Sequence, residues 1–251
     1  MRSITIGILL SFSMSCLSGF QPDSLVFNGN DLYAKGHYYH AINVYEQIVD
    51  SGYESAELYF NLGNAYYKVN NIPLAILNYE RAKKINPWDK DIRHNLSIAN
   101  ARIVDKIDVI PEFFLKNWIT NIVNITSSDN WAIVSITTFI LFLLLFLVYI
   151  FSTRIGIKKI SFWLGILMFI VSATSLYSSL KRKQFLTSRN SAIITSPTVT
   201  AKSSPAEWGV DLFVIHEGTR VIIIDSIDVW NEIRISDGKR GWINKFNLVR
   251  I

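Results

Sequence analysis

The sequence predicts three structural units of different class in one chain: an all-α repeat solenoid, a pair of helices fit to span a bilayer, and an all-β barrel. Three observations carry this. Small and large apolar residues recur at a spacing of thirty-four between Leu25 and Pro87. Two runs, 130–153 and 160–180, are apolar and free of charge. From Ser191 onward the texture changes to short β-rich runs separated by turn residues.

The repeat is clearest over 56–89, where Tyr59, Leu62, Gly63, Tyr66, Ala75, Tyr79, Ala82 and Pro87 fall at the spacing of the tetratricopeptide signature. Gly63 and Ala75 are expected to let the two helices of a hairpin approach closely, with Leu and Tyr side chains filling the space around them. A weaker unit over 22–55 is in register, with Leu25, Gly29, Leu32, Ala41 and Tyr45 on the same positions and Ile48 and Tyr53 departing from them. The polar segment 90–105 fits a capping helix, so the repeat domain is expected to cover 21–105.

Helix pairs of this kind stack into a curved array with a concave face lined by the first helix of each pair. Repeat geometry places Val26, Asn30 and Tyr33 there, with Phe60, Asn64, Tyr67 and Lys68 from the second unit. Asn30 and Asn64 are equivalent, and an amide there can pair with a peptide backbone as donor and acceptor. The plainer alternative is a solvated helix surface. Capture of a terminal carboxylate is not expected, because Val26 and Phe60 stand where such grooves place a Lys.

Half of the 251 residues are hydrophobic and only 18% charged, a balance that suggests lipid contact. The net charge of +5 is spread or placed at the edges of the apolar runs, which argues against nucleic-acid binding. The single cysteine, Cys16, lies in a leader with Arg2, an apolar stretch from Ile4 to Phe12 and small residues before Gln21, so 1–20 reads as a signal peptide. Cleavage near Ser18 to Phe20 and lipidation of Cys16 both remain open, although Ser13 stands where lipoprotein signals prefer Leu.

The connection from Arg154 to Lys159 holds three basic residues and is expected in the cytoplasm, which would put both flanking modules outside. Lys181, Arg182, Lys183 and Arg189 after the second run oppose that orientation, and the leader decides for it. Within 109–126, Phe114, Trp118, Ile122 and Ile125 share one helix face, suited either to the membrane surface or to packing on the repeat cap.

Six strands are expected within 190–251: Ala192 to Thr195, Val199 to Lys202, Leu212 to Ile215, Val221 to Ile224, Val229 to Ile235 and Gly241 to Ile243, with a tight turn at Asp237-Gly238. The order Glu217-Gly218-Thr219-Arg220-Val221, Trp230-x2-Ile233-x-Ile235 and Gly241-Trp242-Ile243 resembles bacterial SH3-like (SH3b) domains. Parity puts Ile233 and Ile235 on one face and Trp230, Glu232 and Arg234 on the other, where Trp230 would serve as a ligand platform or as a capping aromatic. Proline-rich ligands are not expected, since Asn244-Lys245 follows Trp242 and Ile243.

No phosphate-binding Gly loop, nucleophile elbow or His-Glu-x-x-His motif occurs, so neither enzyme activity, a cofactor nor a metal site is expected. His37 and His40 lack a third ligand, and Asp225 and Asp228 flank a turn. The order of leader, paired repeats with Asn86 to Leu96, two apolar runs and the stretch Ser196 to Pro205 resembles the BatE proteins of bacterial aerotolerance operons. That resemblance implies a non-catalytic scaffold in the inner membrane, working beside von Willebrand factor A proteins and a MoxR-type ATPase in an envelope complex linked to stress or oxygen tolerance. The competing reading is a peptidoglycan-binding module acting through the SH3-like domain.

Overall fold

The computed structural model describes residues 22–107 and 114–251, so the leader with Cys16 and the start of the 109–126 segment lie outside the described residues. Among the described residues five helices come first: α1 (Pro22–Ala34), α2 (Tyr38–Asp50), α3 (Ala56–Lys68), α4 (Ile72–Ile85) and α5 (Lys90–Ala101). Each of the last three starts where the sequence offers an oxygen to a free helical N–H. Ser55 accepts from the Leu58 amide, Asn71 from that of Leu74, and Asp89 from those of Asp91 and Ile92. The turns between hairpin helices pass through Gly36 and Asn70, thirty-four residues apart and both at positive φ.

Within each hairpin a tyrosine ring lies on a glycine. A Cβ on Gly29 would stand 2.4 Å from the Tyr45 ring, and one on Gly63 2.7 Å from the Tyr79 ring. The signature glycines are therefore the condition for seating two fully buried tyrosines, each of which removes a large apolar area from water. α1, α3 and α5 form one layer and α2 and α4 the other, so the capping helix continues the first layer.

α6 (Phe114–Val123), α7 (Ser128–Phe151) and α8 (Ile155–Thr187) follow. α7 and α8 are each long and apolar enough to cross a membrane. They pack antiparallel along a seam that takes Trp131, Ser135, Thr138, Phe142 and Leu145 from α7, and Ser161, Gly165, Met168, Ser172 and Ser175 from α8. Both sets follow the alternating three- and four-residue spacing of a left-handed helix pair. Ser135 and Ser172 each donate their hydroxyl to the other's carbonyl oxygen at 3.0 Å, and Gly165 leaves room for Phe142 and Leu145. The connection is shorter than expected: α8 begins at Ile155 and absorbs Lys158 and Lys159 into its first turns, leaving Ser152 to Arg154 as the link. It also continues past Leu180 to Thr187, because Lys181 to Gln184 are good helix formers.

Seven antiparallel strands complete the chain: β1 (Ser191–Ile194), β2 (Thr198–Lys202), β3 (Asp211–His216), β4 (Arg220–Ile227), β5 (Trp230–Arg234), β6 (Arg240–Asn244) and β7 (Leu248–Arg250). They form one sheet in the order β3-β2-β6-β5-β4-β1-β7. The expected closure into a barrel is not formed, for β3 and β7 remain edges. The sheet nevertheless wraps a core to which all seven strands contribute, among them Ile194, Ala201, Ile215, Val221, Ile233, Ile243 and Leu248. β7 was not among the expected strands, since three residues beside Phe246-Asn247 carry too little periodic signal.

The helical module and the sheet share a packed joint. β1 is buried on both faces: Ala192 and Ile194 enter the sheet core, while Ile193 joins the repeat core with Ile76 and Leu77, assisted by Val249 and Ile251. The continuous apolar run Ala192-Ile193-Ile194 is the mark of such a strand. Gly218, at φ +83°, fits against Ile103 and Ile76, where a Cβ would stand 2.5 Å from the Ile103 side chain. Beyond α5, the Asp105 carboxylate accepts from the His216 amide and the Thr219 hydroxyl, at 2.7 and 2.6 Å. Arg182 of α8, 3% exposed, donates to the Ile85 carbonyl and to Asn124 Oδ1.

Candidate peptide-binding face

The layer of α1, α3 and α5 carries a ladder that repeats with the sequence period. Asn30 Oδ1 accepts from the Tyr45 hydroxyl at 2.7 Å and from Asn61 Nδ2 at 3.0 Å. Asn64 Oδ1 accepts from the Tyr79 hydroxyl at 2.7 Å and from Asn95 Nδ2 at 2.8 Å. Burial pushes the Tyr45 and Tyr79 hydroxyls well above the ordinary phenol range, so both remain protonated donors at any physiological pH.

The ladder redefines what the two asparagines can offer. Both lone-pair directions of each Oδ1 are taken within the chain, so the acceptor half of the expected peptide contact is occupied. Among the described residues the Nδ2 groups of Asn30 and Asn64 make no hydrogen bond, which leaves two fixed donors on this face. Sequence reasoning did not single out Asn61 and Asn95, although they too stand thirty-four residues apart; following every polar pair at the repeat period would have found them.

Of the remaining residues on this face, Val26, Tyr33, Phe60 and Tyr67 are half-buried rather than freely solvated. Tyr33 meets Tyr38 edge-on with ring centroids 5.2 Å apart, and Phe60 leans on Tyr79 at 6.0 Å. Tyr67 lies under the Arg102 guanidinium of the capping segment at 5.4 Å, and Val26 packs on the repeat core. Lys68 is exposed and stands beside Gly36, His37 and Asn70 at the rim of an open cleft. The face thus combines fixed aromatic surface, amide donors and cations.

On the sheet, Asn231, Ile233 and Ile235 are buried, and Trp230, Glu232 and Arg234 face the other way, half-buried. Glu232 lies opposite Trp242, so Trp230 and Trp242 are diagonal neighbours on one outer surface of β5 and β6. His37, the N-cap of α2, and His40 in its first turn are ring neighbours at 6.0 Å. Among the described residues no group of three His, Cys, Asp or Glu side chains is placed to hold a metal ion.

Residues 56–89 match the family model described as tetratricopeptide repeat. That repeat is a protein-interaction module and typically non-catalytic. Comparison with curated proteins gives no match.

Proposed function

We propose that this chain is a membrane-held, non-catalytic adaptor that binds protein partners on the face formed by α1, α3 and α5. The observation that carries the reading is the repeat-related pair Asn30 and Asn64, each locked by its Oδ1 while its Nδ2 stays available beside half-buried aromatic rings. An extended segment crossing that face would offer carbonyl oxygens to the amides and lay its side chains on Tyr33, Phe60 and Tyr67, with Lys68 at the edge. The partners we favour are those implied by the BatE resemblance, von Willebrand factor A membrane proteins and a MoxR-type ATPase system in a stress- or oxygen-tolerance complex. The test is crosslinking in membranes followed by purification: Asn64→Ala with Tyr67→Ala should lose specific proteins, and an unchanged partner set would refute the adaptor reading.

The topology belongs to the same proposal. We read α7 and α8 as a hairpin through the inner membrane, after a cleaved or lipidated leader, with the repeats and the sheet together on the outer side. The antiparallel seam and the direct joint between the modules support a common side. α6 supports a surface position: it packs on α8, while Phe114 and Trp118 are 69% and 62% exposed. Trp88 of the repeat module is also exposed, and its indole N–H donates to the Asn124 carbonyl beside α7. Cysteines placed at exposed Asn43 and Ser236 should both react with a membrane-impermeant thiol reagent in spheroplasts; reaction at one alone would overturn the hairpin.

A second reading rests on the outer surface of β5 and β6. Trp230 and Trp242 side by side, with Glu232 and Arg234, make a platform for a sugar or peptide of the cell wall, as expected if the sheet acts as an SH3-like (SH3b) domain. Under it the full chain should pellet with purified sacculi, and Trp230→Ala should abolish pelleting. The adaptor reading expects neither.

A further inference from the structure

A cleft of about 720 Å³ opens where α4, the end of α8 and β7 meet. Its rim carries Arg81, Lys84, Arg189 and Arg250 against one acidic side chain, Glu54. Val49, Ile85, Leu186 and Val249 make its floor apolar. Among the described residues none of the four cations has an Asp or Glu carboxylate within 4.0 Å, whereas the nearby Glu80 is already shared between Lys83 and Arg220.

Two of the cations are held in place by main-chain oxygens rather than by acidic side chains. Arg81 lies over the Tyr59 ring and donates to the Arg250 carbonyl oxygen at 2.9 Å. Lys84 donates to the main-chain oxygens of Ser188 and Ile251 at 2.6 and 3.2 Å. Burial pushes the Lys84 ammonium below its ordinary range; Glu54 pulls it back, and Arg189, Arg81 and Arg220 push it down again. Arg189 makes no hydrogen bond among the described residues, so a structural task does not account for its charge.

We propose that this cleft binds a phosphate ester, with the phosphate on Arg81, Lys84 and Arg189 and the organic part on the apolar floor. A carboxylate would cancel one charge, whereas a phosphate dianion carries about two and offers three acceptor oxygens to guanidinium forks. The volume lies within the range of small-ligand sites, about 300–1,000 Å³. The phosphate can come from a soluble ester or from a lipid headgroup, the second resting on the reading of α7 and α8 as spans. α8 runs about 12 Å beyond Ser179, which pairs with the start of α7, before it reaches Thr187 at the cleft. A headgroup layer is only about 5–7 Å thick, so height favours the soluble source.

The test uses the full chain in neutral detergent, with phenyl phosphate as probe in titration calorimetry. Saturable binding is expected, weakened about tenfold by Arg189→Gln with the thermal midpoint unchanged. In nanodiscs, a site blocked by phosphatidylglycerol but not by phosphatidylcholine would assign the headgroup as the occupant and keep the phosphate site. Absence of phenyl phosphate binding both in detergent and in phosphatidylcholine discs, or binding indifferent to Arg189→Gln and Arg81→Gln, would overturn the proposal. Whether the chain requires detergent to stay in solution is read separately, so failure of the membrane reading is distinguishable from failure of the site.

Discussion

Arg182 donates from Nη2 to the carbonyl oxygen of Ile85 at 2.7 Å, so the end of an apolar hairpin caps the last turn of a repeat helix. The guanidinium also meets the negative end of the α4 dipole and ties down Asn124 in the link between α6 and α7. Replacing it with Gln should leave two half-buried acceptors unpaired and cost about 2–3 kcal/mol. Hydrogen exchange over residues 80–88 should rise, with Arg182→Lys recovering part of the protection.

Gly218 is required twice, by its φ of +83° and by the Ile103 side chain against it. Gly218→Ala should therefore loosen the joint between repeats and sheet by about 2–3 kcal/mol. Limited proteolysis between the modules should become faster at unchanged helix content.

Asp105 supplies a pH-dependent part of the same joint. Its burial raises the carboxyl pKa, but the bonds from Thr219 and His216 outweigh that and hold it below the usual range. The contribution is therefore fully present above the ordinary carboxylate value, about 4, and is lost as pH falls through the lowered value. Melting in detergent from pH 6 down to pH 3 should show this loss in the native chain and not in Asp105→Asn.

Two glycines in helices should respond oppositely to alanine. Gly63→Ala drives a methyl into the Tyr79 ring and should destabilise by about 1–3 kcal/mol. Gly156→Ala meets open space in the first turn of α8 and should be neutral or stabilising by up to about 1 kcal/mol. Thermal midpoints of the two variants compare them directly.

The seam serines should couple weakly. A double-mutant cycle on Ser135→Ala and Ser172→Ala is expected to give about 0.6 kcal/mol, read from unfolding in mixed micelles.

What the sequence made legible follows from how local each signal is. Gly63 with Tyr79 and the two apolar runs are written in spacing, and both appear in the structure. The open edges of the sheet, the short β7 and the early start of α8 were not legible, because strand closure and helix ends depend on neighbours distant in sequence. At the candidate site, spacing identified Asn30 and Asn64 as equivalent but not the donors that reach them from Tyr45, Asn61, Tyr79 and Asn95. The phosphate cleft was invisible for the same reason, since Arg81 and Arg250 meet across 169 residues.

That separation has a consequence for how the chain is made. Val249 and Ile251 cover the outer flank of α4, yet they are synthesised long after it. Until then Ile76 and Leu77 rely on whatever else is at hand, and the nascent repeats travel with a sticky side. Maturation should accordingly be slow for its size and lean on chaperones, with a burst of protease resistance only when the final strand docks.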